Sequence, residues 1–164
     1  MKSRRKAREA ALQALYQCDT LGDWSDAAID LYFSVFQSGQ AETDDLGGED
    51  NRAFARMLML GVLEHRSEID DHIAGASNRW SMGRMCRVDR NLLRLAAFEI
   101  AYLPEIPVSV SINEAIEISK RYGIDDSPMF INGVLDNLAS TWVAPGKSAS
   151  LEAVAELPKK LAVG

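Results

Sequence analysis

VSVSINEAIEISKRYGIDDSPMFINGVLDNLASTW (residues 108–142) decides the fold class. Residues 108–122 read as one helix, with Glu117 and Arg121 four apart and placed to pair across a turn. Gly123 stops it. Ser127 then reads as the N-cap of a second helix. Pro128 takes its first helical position, where a missing N–H costs nothing. Ile131, Val134, Leu135, Leu138 and Trp142 recur on one face of that helix.

The same period extends back to the start of the chain. A first helix over about 3–20 places Ala7, Ala10, Ala11, Ala14, Leu15 and Cys18 on one face, and Gly22 ends it. Asp23 or Ser25 can cap a second, in which Ala28, Tyr32, Val35 and Phe36 share a face. The stretch 38–49 is loop-like by composition. A long third helix over about 50–76 carries a stripe of Phe54, Leu58, Gly61, Val62, Ile69 and Ile73. Gly61 costs about 1 kcal/mol against alanine there, which points to a close helix crossing. The connector 76–87 holds a short turn of helix around Trp80. Asp89 reads as the N-cap of a fourth helix, which buries Leu93, Ala96, Ala97 and Ile100 and ends at Pro104. No useful stretch alternates with period two. The fold class is all-α, with helices packed in bundles. After Trp142 the sequence turns rich in small residues and carries Pro145 and Pro158. This tail reads as an appendage with one short helix near 150–157.

The 164 residues suffice for one cored domain or two very small packed lobes. Apolar residues make up 47% and charged residues 26%, a globular rather than a disordered balance. No apolar run approaches the ~20 residues that span a bilayer, so no membrane role is expected. The basic start lacks the apolar stretch and small-residue cleavage site of a targeting signal. Cys18 and Cys86 lie far apart without metal-ligand spacing and read as thiols of a reducing cytoplasm.

Charge is segregated. The net charge is −6, yet five bases (Lys2, Arg4, Arg5, Lys6, Arg8) fall in the first eight residues. Between Asp19 and Asp50 there are nine acids and no base. Arg5, Arg8, Leu12 and Tyr16 follow helical spacing, so a basic face continues into an aromatic ring. Arg87, Arg90 and Arg94 form a second basic set, with Arg79 and Arg84 upstream. Forked guanidinium groups suit phosphate, and neighbouring aromatics suit unpaired bases. A solvated, frayed end is the alternative reading, because bases there oppose the helix dipole by ~0.3–1 kcal/mol each. Little supports catalysis. His65 and His72 sit seven residues apart, ~10 Å along a helix, too far to grip one metal ion. No phosphate loop or nucleophile elbow occurs. No cofactor is expected.

Four collinear blocks carry a family likeness: RRKAREAALQALY (4–16), LMLGV (58–62), VDRNLLRLAAFEI (88–100) and IPVSVSINEAIEISKRYGIDDSPMFINGVLD (106–136). Together they resemble the NusB transcription antitermination family over residues 3 to about 142. The resemblance implies two stacked helical-bundle subdomains of six to seven helices in all, about 1–78 and 79–142, with 143–164 as an extension of unassigned role. It also implies a non-enzymatic cytoplasmic factor that binds boxA-type single-stranded RNA together with the small ribosomal protein NusE. Through other Nus factors it acts on the RNA polymerase elongation complex, notably in ribosomal RNA operons. RNA contacts would fall on Arg4, Arg5, Lys6, Arg8, Asp126 and Phe130, and protein-partner contacts on Tyr16 and Asp89. With about four phosphates neutralised, log K would fall against log salt with slope near −3.

Phe130 lies one residue before Ile131, so it points ~100° from the core stripe. Stacking on a base and packing against the first helix both remain open to it. Asp126 caps or orients, because a carboxylate repels phosphate. Pro128 and Met129 stand where many relatives carry polar or basic residues. The same helical domain also occurs ahead of ribosomal RNA cytosine methyltransferases. The chain ends at Gly164 without a glycine-rich cofactor fold, which favours the stand-alone factor. A protein-only scaffold, a homodimer through exposed helix faces, is the third reading.

Overall fold

The protein is described from a computed structural model, in which residues 2–38 and 48–147 are defined. Among these residues all regular structure is helical. The elements are α1 (Lys2–Leu21), α2 (Asp26–Ser38), α3 (Glu49–Ala76), a short 3-10 turn (Met82–Arg84), α4 (Arg87–Tyr102), α5 (Val108–Tyr122) and α6 (Ser127–Thr141). The all-α expectation holds, with six α-helices among the described residues. The stretch 39–47, the side chains of Val35 and Phe36 and the expected short helix near 150–157 lie outside the described residues.

α4 is the axis of the molecule. Every residue from Asn91 to Ala101 is buried, because α1, α3, α5 and α6 all pack on it. Ion pairs fix the relative directions. Arg8 meets Glu99 while Asp19 meets Arg90, so α1 and α4 run antiparallel. Arg4 sits by Asp50 while Asp19 and Asp70 share Arg94, so α1 and α3 run in parallel. One contiguous apolar core joins all six helices. The 78/79 boundary drawn from sequence falls in the connector between α3 and the 3-10 turn.

The close crossing expected at Gly61 is made with α4. A Cβ at position 61 would lie inside the Phe98 ring, so only glycine lets the two helices approach this far. α3 bends at His65 (φ −109°, ψ 15°), and the imidazole stacks on Tyr102 with ring centres 4.1 Å apart. His72 stacks on Trp142 at 3.8 Å. Both histidines therefore serve helix packing. No group of three metal-ligating side chains occurs among the described residues.

Four details differ from the sequence reading. α4 begins at Arg87 with Cys86 at the N-cap position, so Asp89 lies inside the first turn rather than capping it. α6 begins at Ser127, with Asp126 at the cap position, one residue earlier than expected. Asp126 makes no capping side-chain bond. Ser127 Oγ instead accepts the Ile124 N–H at 3.0 Å, an approach that the missing Cβ of Gly123 permits. Glu117 pairs with Lys120 at 2.6 Å rather than with Arg121, which reaches across to Glu9 at 3.4 Å. Finally, the first residues after Trp142 pack against the end of α4. The Ala144 N–H bonds Ile100 O at 2.9 Å, and the buried Lys147 Nζ bonds Glu99 O at 2.7 Å. Burial pushes the Lys147 ammonium down to about 8.

The Gly61 crossing yields a direct test. Gly61→Ala gains about 1 kcal/mol of helix propensity but must displace Phe98 from a packed site, at ~1–3 kcal/mol. The variant should melt several degrees below the wild type. A raised melting temperature would show that the ring yields freely.

Candidate nucleic-acid interface

The basic start of α1 divides into two layers. Arg4 and Lys6 are exposed. The Arg4 guanidinium lies 4.3 Å from the centre of the Phe54 ring, and its Nη1 donates to Asp50 O at 3.4 Å. Arg5 is half-exposed and forks onto Glu114, with Nε to Oε1 at 3.0 Å and Nη2 to Oε2 at 2.7 Å. This hydrogen bond raises the Arg5 pKa and holds the Glu114 carboxyl below its ordinary range. Arg8 belongs to the inner layer. Its side chain is 7% exposed and forks onto Glu99, itself 2% exposed, at 2.7 and 2.9 Å. Ser111 Oγ donates to the same Glu99 carboxylate at 2.8 Å. Arg8 thus faces inward, whereas Arg4, Arg5 and Lys6 form the outward basic surface.

The second basic set is largely internal. Arg94 forks onto Asp70 at 2.8 and 3.0 Å, and its Nη1 reaches Asp19 at 3.2 Å and Asn91 Oδ1 at 2.9 Å. Arg90 donates to Asp19 at 2.9 Å and to Met82 O at 3.0 Å. Burial alone would raise the Asp19 carboxyl, but the hydrogen bonds from Arg90 and Asn91 and the charges of Arg90 and Arg94 outweigh it and lower the pKa. Trp24 covers this network, with Arg66 and Arg94 at 4.5 and 4.9 Å from its ring centre. Arg87 alone of the three repeats stands exposed. It lies 5.9 Å from the ring centre of Tyr16, which is 41% exposed.

A groove of about 770 Å³ opens where α3 ends and where α4 and α6 begin. Trp80, Arg84, Asp89, Asp126, Met129 and Phe130 are among its walls. Phe130 is half-buried, packed against the core while also lining this groove. Asp126 is exposed at the lip. Asp89 is 5% exposed, and its Oδ1 has no hydrogen-bond partner. Burial pushes this carboxyl up, and a hydrogen bond with Ser127 only partly offsets that. The two sets of expected RNA contacts are therefore apart. Arg4 sits over Phe54 near the start of α3, and the groove lies by Ala76 at its other end.

Comparison with known proteins places this geometry. The model of the NusB family matches residues 5–140. The chain belongs to the NusB family. It is 47% identical over 141 residues to the transcription antitermination protein NusB of Geobacter sulfurreducens, covering 86% of this chain and 96% of that one. Among solved structures it is similar to NusB of T. maritima, with a TM-score of 0.74 and 37% identity over 88% of this chain and 95% of that chain. It is also similar to a chain in the complex of antitermination factors NusB and NusE with double-stranded RNA. There the TM-score is 0.72 and the identity 25%, over 87% of this chain and 99% of that chain. Membership agrees with the expectation of a non-enzymatic protein. No helix among the described residues is long and apolar enough to cross a membrane.

In this family member the sequence reading missed the carboxylates that hold the arginines. Glu99 and Glu114 looked like ordinary helix residues, yet each fixes one arginine of α1. One signal was available for Glu99: it is a lone acid in a helix segment otherwise apolar from Leu95 to Ala101. Trp80 and Arg84 at the groove carried no periodic signal, because they stand in a connector.

Asp89 gives this surface a pH signature. Its raised pKa means that the folded state prefers the neutral acid. Below the unfolded carboxyl pKa both states are protonated and burial costs nothing. As pH climbs through the unfolded and then the folded value, the cost develops and persists. Asp89→Asn should therefore raise the melting temperature at pH 7, and the gain should shrink as pH falls through the raised folded value and vanish below about 4. An equal gain at pH 3 and pH 7 would count against a buried, ionised Asp89.

Proposed function

We propose that this chain is a transcription antitermination factor that binds boxA-type RNA together with NusE and helps the RNA polymerase elongation complex pass terminators, notably in ribosomal RNA operons. That work is done in the cytoplasm. One observation carries the reading: on a chain of net charge −6, Arg4, Arg5 and Lys6 are presented together on a helix fixed to the body. Such a surface attracts phosphate locally while the acidic remainder discourages indiscriminate binding. The likeness to the NusB–NusE–RNA complex supports the choice of partners.

RNA contacts are assigned to Arg4, Arg5 and Lys6 at one end and to Phe130 and Asp126 at the other. Phe130 offers a face for stacking, and Asp126 moderates affinity at the lip. Arg8 acts through position, because its guanidinium is committed to Glu99. A strand touching both surfaces runs from the start of α1 to the groove at the start of α6. Tyr16, with Arg87 beside it, is the proposed contact for NusE. Asp89 meets that partner only through the groove, because its carboxylate is buried.

Three outward cations rather than four predict a shallower salt response, with log K against log salt of slope near −2. Gel-shift titration of boxA RNA with and without NusE tests the whole reading. Arg4→Glu/Lys6→Glu should weaken binding by at least about tenfold at ~0.1 M salt. A flat salt response, or unchanged affinity in the double variant, would remove the N-terminal surface from the interface.

A further inference from the structure

The Arg5, Glu114, Arg8 and Glu99 cluster contains one more pairing than it needs. Glu99 uses both its oxygens on Arg8 Nε and Nη2. Arg8 Nη1 is left pointing at Glu114 Oε1, 3.6 Å away. Glu114 therefore has two arginines within reach, the outer one half-exposed and the inner one buried. The Arg5 side chain is 43% exposed against 7% for Arg8. When a buried ion pair loses one partner, the remaining charge normally carries a large penalty. Here that penalty is limited, because Arg8 Nη1 needs to close less than 1 Å to bond Glu114 in place of Arg5.

We propose that Glu114 is an affinity-setting residue: in the free protein it holds Arg5, and on RNA binding Arg5 transfers to a phosphate while Arg8 takes over Glu114. This rests on the RNA-binding reading above and deepens it. No covalent step is involved; one charge-assisted contact replaces another. The Glu114 carboxylate competes with phosphate for the same forked donors, so the protein binds RNA more weakly than its three outward cations allow. Arg8 is the positioning residue that makes the exchange possible, and Glu99 keeps it in place. The arrangement also keeps Arg5 from spreading over the surface in the free state, which limits contact with unrelated polyanions.

A double-mutant cycle read by fluorescence anisotropy with a boxA RNA oligonucleotide tests the exchange at about 0.1 M salt. Glu114→Gln should tighten binding about three- to tenfold. In an Arg5→Ala background the same substitution should change affinity less than about twofold, because the competitor has nothing to release. If the gain persists without Arg5, it reflects only the deleted negative charge, and the exchange is wrong. Weaker binding by Glu114→Gln would equally overturn it, since Glu114 would then be holding Arg5 in its binding position. Melting curves of each variant check folding, and a measurement on the wild type needs no variant. In side-chain NMR the Arg5 Nε–H resonance should move on RNA addition, and the Arg8 Nη resonances should report the new bond to Glu114. A stationary Arg5 resonance, or an Arg5 that moves while every Arg8 guanidinium resonance stays, excludes the transfer. Absence of RNA binding by the wild type would be seen before any variant is made, and it would overturn the functional reading itself.

Discussion

The fold and its proposed working surface both depend on the Arg8–Glu99 ion pair. Two opposite charges sit in the middle of a helical core, which is costly unless every polar atom is engaged. The geometry meets that demand at the Glu99 carboxylate. Two parallel N–H bonds join guanidinium to carboxylate, and Ser111 supplies a third bond from α5. One carboxylate thus ties α1, α4 and α5 together. Lys147 then donates to the Glu99 carbonyl, bringing the segment after α6 to the same residue. An apolar pair of equal volume would fill the space without fixing rotation. The forked pair sets the angle of α1 about its own axis, and so decides which of its bases face outward.

A second network repeats the principle at the other end of α1 with the polarity reversed. Near its start the helix supplies arginines to acids of α4 and α5. Near its end it supplies Asp19 to Arg90 and Arg94 of α4. Sliding α1 along α4 by one turn would carry Arg8 away from Glu99 and leave both charges buried without that partner. Helices packed by alanine faces alone, such as Ala7, Ala11 and Ala14, would lack that register. The alanines permit close approach, and the charges select one alignment.

Much of this was legible in the sequence and some was not, for identifiable reasons. The apolar stripes of α3 and α6 follow from period alone, and Gly61 announced a close crossing because mid-helix glycine has no other purpose there. Terminal details failed by three residues at Asp89 and by one at Ser127. Several residues near each start have capping chemistry, and packing chooses among them. The larger miss concerns the arginines. Helical spacing put Arg87, Arg90 and Arg94 on a common face, but spacing does not say whether that face meets solvent or acids. Asp19 and Asp70, lying 71 and 24 residues from the arginines that hold them, turned most of a basic patch into an internal strut. Long-range pairing of this kind leaves no local signal.

The same logic resolves the conflict at the first turn of α1. That turn contains no acid, and its bases oppose the positive end of the helix dipole. A helix start of this kind would fray if left to itself. Here the missing acids come from elsewhere in the chain: Glu114 from α5 and Glu99 from α4 bring negative charge to the basic end. Phe54 gives Arg4 a face to lie on, and the Asp50 carbonyl accepts from it. Of the acids that steady the helix, Glu114 is also the group that a bound phosphate would have to displace. Stability of the free surface and affinity for a polyanion therefore pull against each other through Glu114. The strength of that one pair sets where the balance falls.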